Sequence, residues 1–138
     1  MQSLSNLSAK ATSKVLGDQA EQAALDALLR LGLRLLARNY KTPGRGGGEI
    51  DLIMQEPNGT VVFVEVRLRR SEQYGGALAS VGSQKQRRLV LAASHFLQAW
   101  PSLPPCRFDV IGMACTSDER RLADAEKMVW SKGAFAAF

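Results

Sequence analysis

Residues 49–67 read EIDLIMQEPNGTVVFVEVR, and this stretch decides the fold. It predicts a β-hairpin. Residues 49–54 alternate polar and apolar side chains until Ile53 breaks the pattern, and residues 60–66 are β-branched or aromatic except for Glu65. Between them, Pro57-Asn58-Gly59 is turn chemistry: proline fixes φ, and Asn and Gly tolerate φ above zero. Strand side chains alternate faces. Ile50, Leu52 and Met54 therefore share one face of the first strand, and Glu49, Asp51 and Ile53 the other. On the second strand Val62, Val64 and Val66 oppose Val61, Phe63, Glu65 and Arg67. A turn centred on Pro57 sets Asp51 across from Phe63 and Glu49 across from Glu65. Asp51 is then diagonal to Glu65, roughly 7–8 Å away. A slip of one residue would put the two carboxylates on opposite faces.

Carboxylates converging beside a sheet core repel one another, and desolvation adds to the cost. A bound cation or a basic neighbour relieves it. A hard divalent ion such as Mg²⁺ prefers one or two carboxylates plus waters and phosphates. Arg67 is the available basic neighbour. The plainer alternative is a hairpin with a polar edge and ordinary surface ion pairs.

Asp51, followed fourteen residues later by Glu65-Val66-Arg67, resembles the D…(D/E)xK signature of the restriction-endonuclease-like nucleases. The longer pattern is more specific. It runs through Ala20-Glu21-x-x-Ala24, Arg38-Asn39-Tyr40, residues 48–53 (GEIDLI), residues 62–67 (VFVEVR), Lys85-x-x-Arg88-Leu89, Arg107-Phe108-Asp109-Val110 and Ala134-Phe135. In that order it resembles the small bacterial YraN-like family, which is similar to archaeal Holliday-junction resolvases. The resemblance spans about Gly17 to Phe135. It implies an α/β fold with a restriction-endonuclease-like core, a central mixed sheet flanked by helices, and a nucleic-acid partner. It brings no settled substrate.

Composition sets the bounds. A chain of 138 residues is long enough for one domain with a real core. The expected division is a loose tail over residues 1–16 and a single nuclease-like domain over 17–138. A net charge of +5 favours an anionic partner without proving one. Two cysteines are too few for a disulfide framework, and one histidine makes no zinc site. Residues 1–14 lack the apolar run of a signal peptide, and no later run reaches membrane-spanning length. A cytoplasmic protein with no membrane partner is the expectation.

Along the chain, Asp18 is a candidate N-cap, with Glu21 at the capping-box position and Gly32 as the helix stop. Glu21 also has a functional reading from the resemblance, because a first-helix glutamate can lie near the metal site. Leu33 to Tyr40 reads as a strand. The loop at residues 41–48 (KTPGRGGG) is either a flexible connection or a segment whose backbone N–H groups, with Lys41 and Arg45, approach phosphates. No Gly-Lys-Ser/Thr ends it, so it is no Walker A loop. Arg69 and Arg70 form a basic cluster before Tyr74, which is either solvated surface or a phosphate contact with a base-stacking ring. A helix is expected from Ser83 to Ala99, its core stripe running Leu89, Ala92, Ala93, Phe96, Leu97 and Trp100. Lys85 lies on that stripe, flanked by Gln84, Arg87 and Arg88. His95 reads as a surface or packing residue. Arg107 to Met113 is a further strand, Asp109 pairing with an arginine; residues 123–130 are undecided between helix and strand.

In the mechanism that the resemblance implies, Asp51 and Glu65 hold one or two Mg²⁺ (or Mn²⁺) ions, with the Val66 carbonyl as a further ligand. Glu49 or Glu21 sits in the outer shell. Lys41, Arg45, Arg69, Arg70, Arg87 and Arg88 neutralise the nucleic-acid backbone, which is expected to be DNA. A homodimer is expected only if a four-way junction is cut symmetrically. The signature calls for lysine where this chain has Arg67. Arginine stays protonated and cannot act as a base. Lys85 is the candidate substitute. A non-catalytic nucleic-acid-binding module and a small interaction domain, its acids paired with its own arginines, stay open beside the nuclease.

Overall fold

The hairpin forms, but its turn centres on Asn58. The computed structural model describes residues 2–44, 46–69, 81–114 and 128–135, with side chains outside 2–13, 69 and 114. Strand β2 (Glu49–Gln55) runs antiparallel to β3 (Val61–Arg69), pairing Leu52 with Val64, Ile53 with Phe63, Met54 with Val62 and Gln55 with Val61. Glu56 N–H donates to the Thr60 carbonyl at 2.8 Å and Gly59 N–H to the Glu56 carbonyl at 2.9 Å. Gly59, at φ 95°, takes the left-handed position that closes a three-residue loop. The Asn58 side chain accepts the Thr60 N–H at 2.9 Å. The expected register, centred on Pro57, is therefore corrected by two residues. Asp51 falls across from Glu65 rather than Phe63. An even shift keeps both carboxylates on one side of the ladder.

Five strands form one sheet in the order β1-β2-β3-β4-β5, where β1 is Arg34–Lys41, β4 Cys106–Ala114 and β5 Val129–Phe135. Neighbours are antiparallel except β3 and β4, which are parallel. Helix α1 (Gln2–Arg30) precedes β1, and α2 (Ser83–Leu97) lies between β3 and β4 as a parallel pair requires. This is the expected α/β arrangement: a mixed sheet flanked by helices, the layout of a restriction-endonuclease-like core. The undecided segment is strand from Val129 onward, and residues 115–127 lie outside the described residues.

Each face of the sheet carries its own core. Leu52, Met54, Val62, Val64 and Ile111 pack against Ala20, Ala24, Leu25 and Leu28 of α1. Ile50, Ile53, Val61, Phe63, Phe108 and Val110 pack against Leu89, Ala92, Ala93 and Leu97 of α2. Gly32, at φ 93°, ends α1 as expected, with Leu33 N–H donating to the Leu28 carbonyl at 3.1 Å.

The start of α1 differs from expectation. The helix runs from Gln2, because residues 2–16 contain neither Gly nor Pro to stop it. Asp18 is therefore interior and pairs with Lys14 at 3.8 Å, so Glu21 has no capping box to serve. Ile50 is also corrected: it packs with Ile53 on the α2 side, not with Leu52 and Met54. In β1 a bulge between Leu35 and Ala37 sends both Leu36 and Ala37 toward the α2 side.

Candidate functional site

The hydrogen-bonded ladder of β2 and β3 ends at Leu52 and Val64, one residue before Asp51. Beyond that point the Val66 N–H has no backbone acceptor on β2. The Asp51 carboxylate supplies one: Val66 N–H donates to Asp51 Oδ2 at 2.8 Å. The side chain is thus pinned at the open end of the hairpin, beside Glu65. A carboxylate in place of a ladder carbonyl satisfies a donor that would otherwise be orphaned.

Glu65 is buried, with 5% of its surface exposed. Burial, the Asp51 charge and a hydrogen bond shared with Asp51 push its pKa up to about 8, against the partial relief of Lys85 and Arg67. Arg67 lies 3.8 Å from Oε1 and Lys85 Nζ 3.7 Å from Oε2. The Lys85 contact is an ion pair too long for a hydrogen bond. Oε2 is accordingly buried without a hydrogen-bond partner. A native structure rarely leaves such an oxygen unmatched unless something else binds it. Glu21 of α1 completes the acidic side. Its pKa is raised by burial and then by the Asp51 charge, with smaller contributions from Asp18 and Glu49, and lowered by Arg38.

The structure thus brings Asp51, Glu65, Val66, Arg67, Lys85 and Glu21 to one end of the sheet, from two strands and two helices. Glu49 is exposed, and its charge adds to the raised pKa of Glu21. A ready-made cage is not present: among the described residues no three His, Cys, Asp or Glu side chains converge as a cation site. The donor set is instead two adjacent carboxylates, one with an unmatched oxygen. That fits a Mg²⁺-type ion, which keeps most of its waters and takes one or two protein carboxylates.

Lys41, Arg87 and Arg88 are exposed; Lys41 pairs with Glu49 in the β1–β2 register and Arg88 lies against Gly48. Arg45, Arg70, Tyr74 and the side chain of Arg69 lie outside the described residues. The glycine loop is pinned at its base: Thr42 N–H donates to the Gly48 carbonyl at 3.1 Å. Gly48 sits against α2 so closely that a Cβ would come within 2.3 Å of the Arg88 carbonyl oxygen. Sequence reasoning missed Arg38, whose guanidinium donates to Gln22 on α1 at 2.9 Å and lies near Glu21. It also missed that exposed His95 meets the Tyr40 hydroxyl. Neither pairing has a sequence signal, because each joins segments far apart in the chain.

A family model described as Uncharacterised protein family UPF0102 matches residues 20–113. The chain belongs to the UPF0102 family. The UPF0102 protein of Paracidovorax citrulli is 53% identical over 128 residues, covering 93% of this chain and 87% of that protein. The UPF0102 protein of Albidiferax ferrireducens is 60% identical over 104 residues, 75% of this chain and 81% of its own. The span matched by the UPF0102 model contains every residue gathered at the sheet end, from Glu21 to Lys85. Membership agrees with the family resemblance read from the residues and assigns no reaction. Among the described residues, no helix is long and apolar enough to cross a membrane.

Proposed function

We propose that this UPF0102 protein is a metal-dependent endonuclease acting on nucleic acid, with branched DNA as the first substrate to test. One observation carries the reading. A buried glutamate shares a sheet end with an aspartate, keeps one oxygen unmatched, and has an ammonium and a guanidinium within ion-pair distance. A purely structural glutamate would be expected to have its buried oxygens hydrogen-bonded.

Asp51 and Glu65 would hold a Mg²⁺ or Mn²⁺ ion, which when bound supplies Lewis acidity and lowers the pKa of a water. The chain's own groups do the rest. Asp51 is held by the Val66 N–H and lies within hydrogen-bond reach of Glu65. Lys85 places an ammonium beside Glu65, in the part that the signature gives to a lysine two residues after the acid. Arg67 stays charged and stabilises negative charge developing on a phosphate, but it cannot take up a proton. Glu21, its pKa raised, can hold a proton near the same end. Exposed Lys41, Arg87 and Arg88 position the phosphate backbone.

A second reading is a nucleic-acid binder whose site has lost its chemistry. Arginine at position 67 and the lack of a third converging donor favour it. The deciding experiment incubates the protein with branched, single-stranded and duplex DNA in Mg²⁺ or Mn²⁺, beside Asp51→Asn and Glu65→Gln. Cleavage by wild type and not by either variant supports the nuclease. Binding without cleavage supports the second reading. Equal cleavage by all three proteins means a contaminating nuclease and sinks the enzymatic reading.

A further inference from the structure

Asn39 is the one non-glycine residue with positive φ among the described residues, at φ 52°. It stands inside strand β1, where a left-handed residue is out of place. The register that pairs Arg38 with Leu52 and Tyr40 with Ile50 sets Asn39 across from Asp51.

The packing shows what happens in that row. On β1, Arg38 reaches Gln22 of α1, yet Tyr40, two residues on, packs with Phe96 and His95 of α2. On β2, Leu52 packs toward α1, yet Ile50, two residues back, packs toward α2. In a regular strand, residues two apart share a face. Both strands therefore reverse their facing at the same row, β1 at Asn39 and β2 at Asp51. The third strand does not: Val64 and Val66 both pack toward α1. This mismatch explains why the β2–β3 ladder stops at Leu52 and Val64, and why Val66 N–H turns to the Asp51 carboxylate.

We infer that Asn39 is a positioning residue for Asp51: its left-handed backbone lets β1 follow the reversal of β2, and this holds the Asp51 carboxylate on the Val66 N–H beside Glu65. Without it, β1 would stay regular, the Tyr40–Ile50 and Lys41–Glu49 pairs would be lost, and β2 would relax toward regular pairing with β3. Asn pays the least for positive φ after Gly; Ala pays more and β-branched Val the most. The chemical importance of the position rests on the proposed nuclease reading, but the geometric claim does not.

The test reads the Val66 amide by hydrogen exchange and by its proton chemical shift, in metal-free protein. Residues 61–64 of β3 serve as the control for folding. Asn39→Gly should leave Val66 protected as in wild type. Asn39→Ala and Asn39→Val should lower its protection at least tenfold while residues 61–64 keep theirs. Asp51→Ala should give the same local loss. If Asn39→Val loses protection throughout β3, Asn39→Ala decides. Unchanged Val66 protection in Asn39→Ala overturns the proposal. So does equal loss in Asn39→Gly, because the side chain and not the backbone would then be responsible. Cleavage assays on the same variants are a separate arm. A wild type that cuts nothing removes the nuclease reading and leaves the Val66 result standing.

Discussion

At the scale of single residues, Glu65 makes the strongest statement about proton and metal linkage. Its carboxyl is held protonated in the folded chain up to a pKa of about 8, against an ordinary 4.5. Below the ordinary value both folded and unfolded states are protonated, and the group does not distinguish them. As pH rises through this window, unfolding releases a proton that folding retains. Metal-free stability should therefore fall with pH, by at most about 1.4 kcal/mol per unit. Above the upper value the buried charge is fully present as a penalty. Chemical denaturation from pH 5 to 8.5 measures this slope. Glu65→Gln should flatten it and raise stability at the alkaline end. Millimolar Mn²⁺ or Mg²⁺ should restore wild-type stability at high pH by binding the folded state, and should do nothing for Glu65→Gln. A wild type whose pH slope equals that of Glu65→Gln would place the proton elsewhere.

The two cations beside Glu65 make a second residue-scale prediction. Lys85 Nζ approaches Oε2, the unmatched oxygen, and Arg67 approaches Oε1. If the ammonium does the work the signature assigns to lysine, Lys85→Ala should lower single-turnover cleavage by 10²-fold or more, a common size for one positioned acid–base group. Arg67→Lys should change it by less than tenfold, about 1.4 kcal/mol of barrier. The reverse order would return the role to position 67. The carboxylates and the substitution at Arg67 were legible because their types and spacing form a pattern. The approach of Lys85 was legible only as a place on a helix stripe. Its contact with Glu65 depends on how α2 docks on the sheet.

Among the elements, the loop from Thr42 to Gly48 ties β1 and β2 to α2. A methyl group on Gly48 would meet backbone, the Arg88 carbonyl, rather than a side chain that can swing away. Gly48→Ala should therefore cost about 1–3 kcal/mol in denaturant unfolding, the usual range for overpacking. Gly44→Ala is no neutral control, because φ 88° strains any side chain. Gly82→Ala, with open space and φ −74°, is one and should cost far less. The hairpin shows how far pattern reading reaches. Alternation gave both strands and both carboxylates, but the turn could close around Pro57 or Asn58. The choice was made by Gly59 at positive φ and by the Asn58 side chain on the Thr60 N–H. Alternation also misplaced Ile50, because it assumes regular strands and the reversal at Asn39 and Asp51 breaks that assumption. The long α1 was underestimated because the Ser and Thr of its first half read as a loose tail, although Leu4, Leu7, Ala11 and Val15 keep helical spacing. Residues 2–16 are rich in Ser and Thr, and helix propensity alone is a weak guide.

The whole molecule is a basic protein, net charge +5, that gathers its acidic pair at one sheet end with Arg67 and Lys85 beside it. On the proposed function, this charge draws a polyanion toward the Asp51–Glu65 pair. Binding to nucleic acid should then be strongly salt-dependent, each neutralised phosphate adding about −0.9 to the log–log slope on duplex DNA. Arg87 and Arg88 are exposed on α2, and Arg88 adjoins the glycine loop. Replacing both with Ala should flatten the slope by roughly one to two units and weaken binding to all sequences alike. Glu65→Gln replaces a buried carboxyl that is protonated, and so neutral, near neutral pH, and should therefore leave the slope unchanged in metal-free buffer. The pair of measurements separates the electrostatic footprint from the metal site. A flat salt response in wild type would favour the small interaction domain over either nucleic-acid reading. A steep response that survives loss of Arg87 and Arg88 would move the footprint to other basic residues, with Lys41 the first to replace.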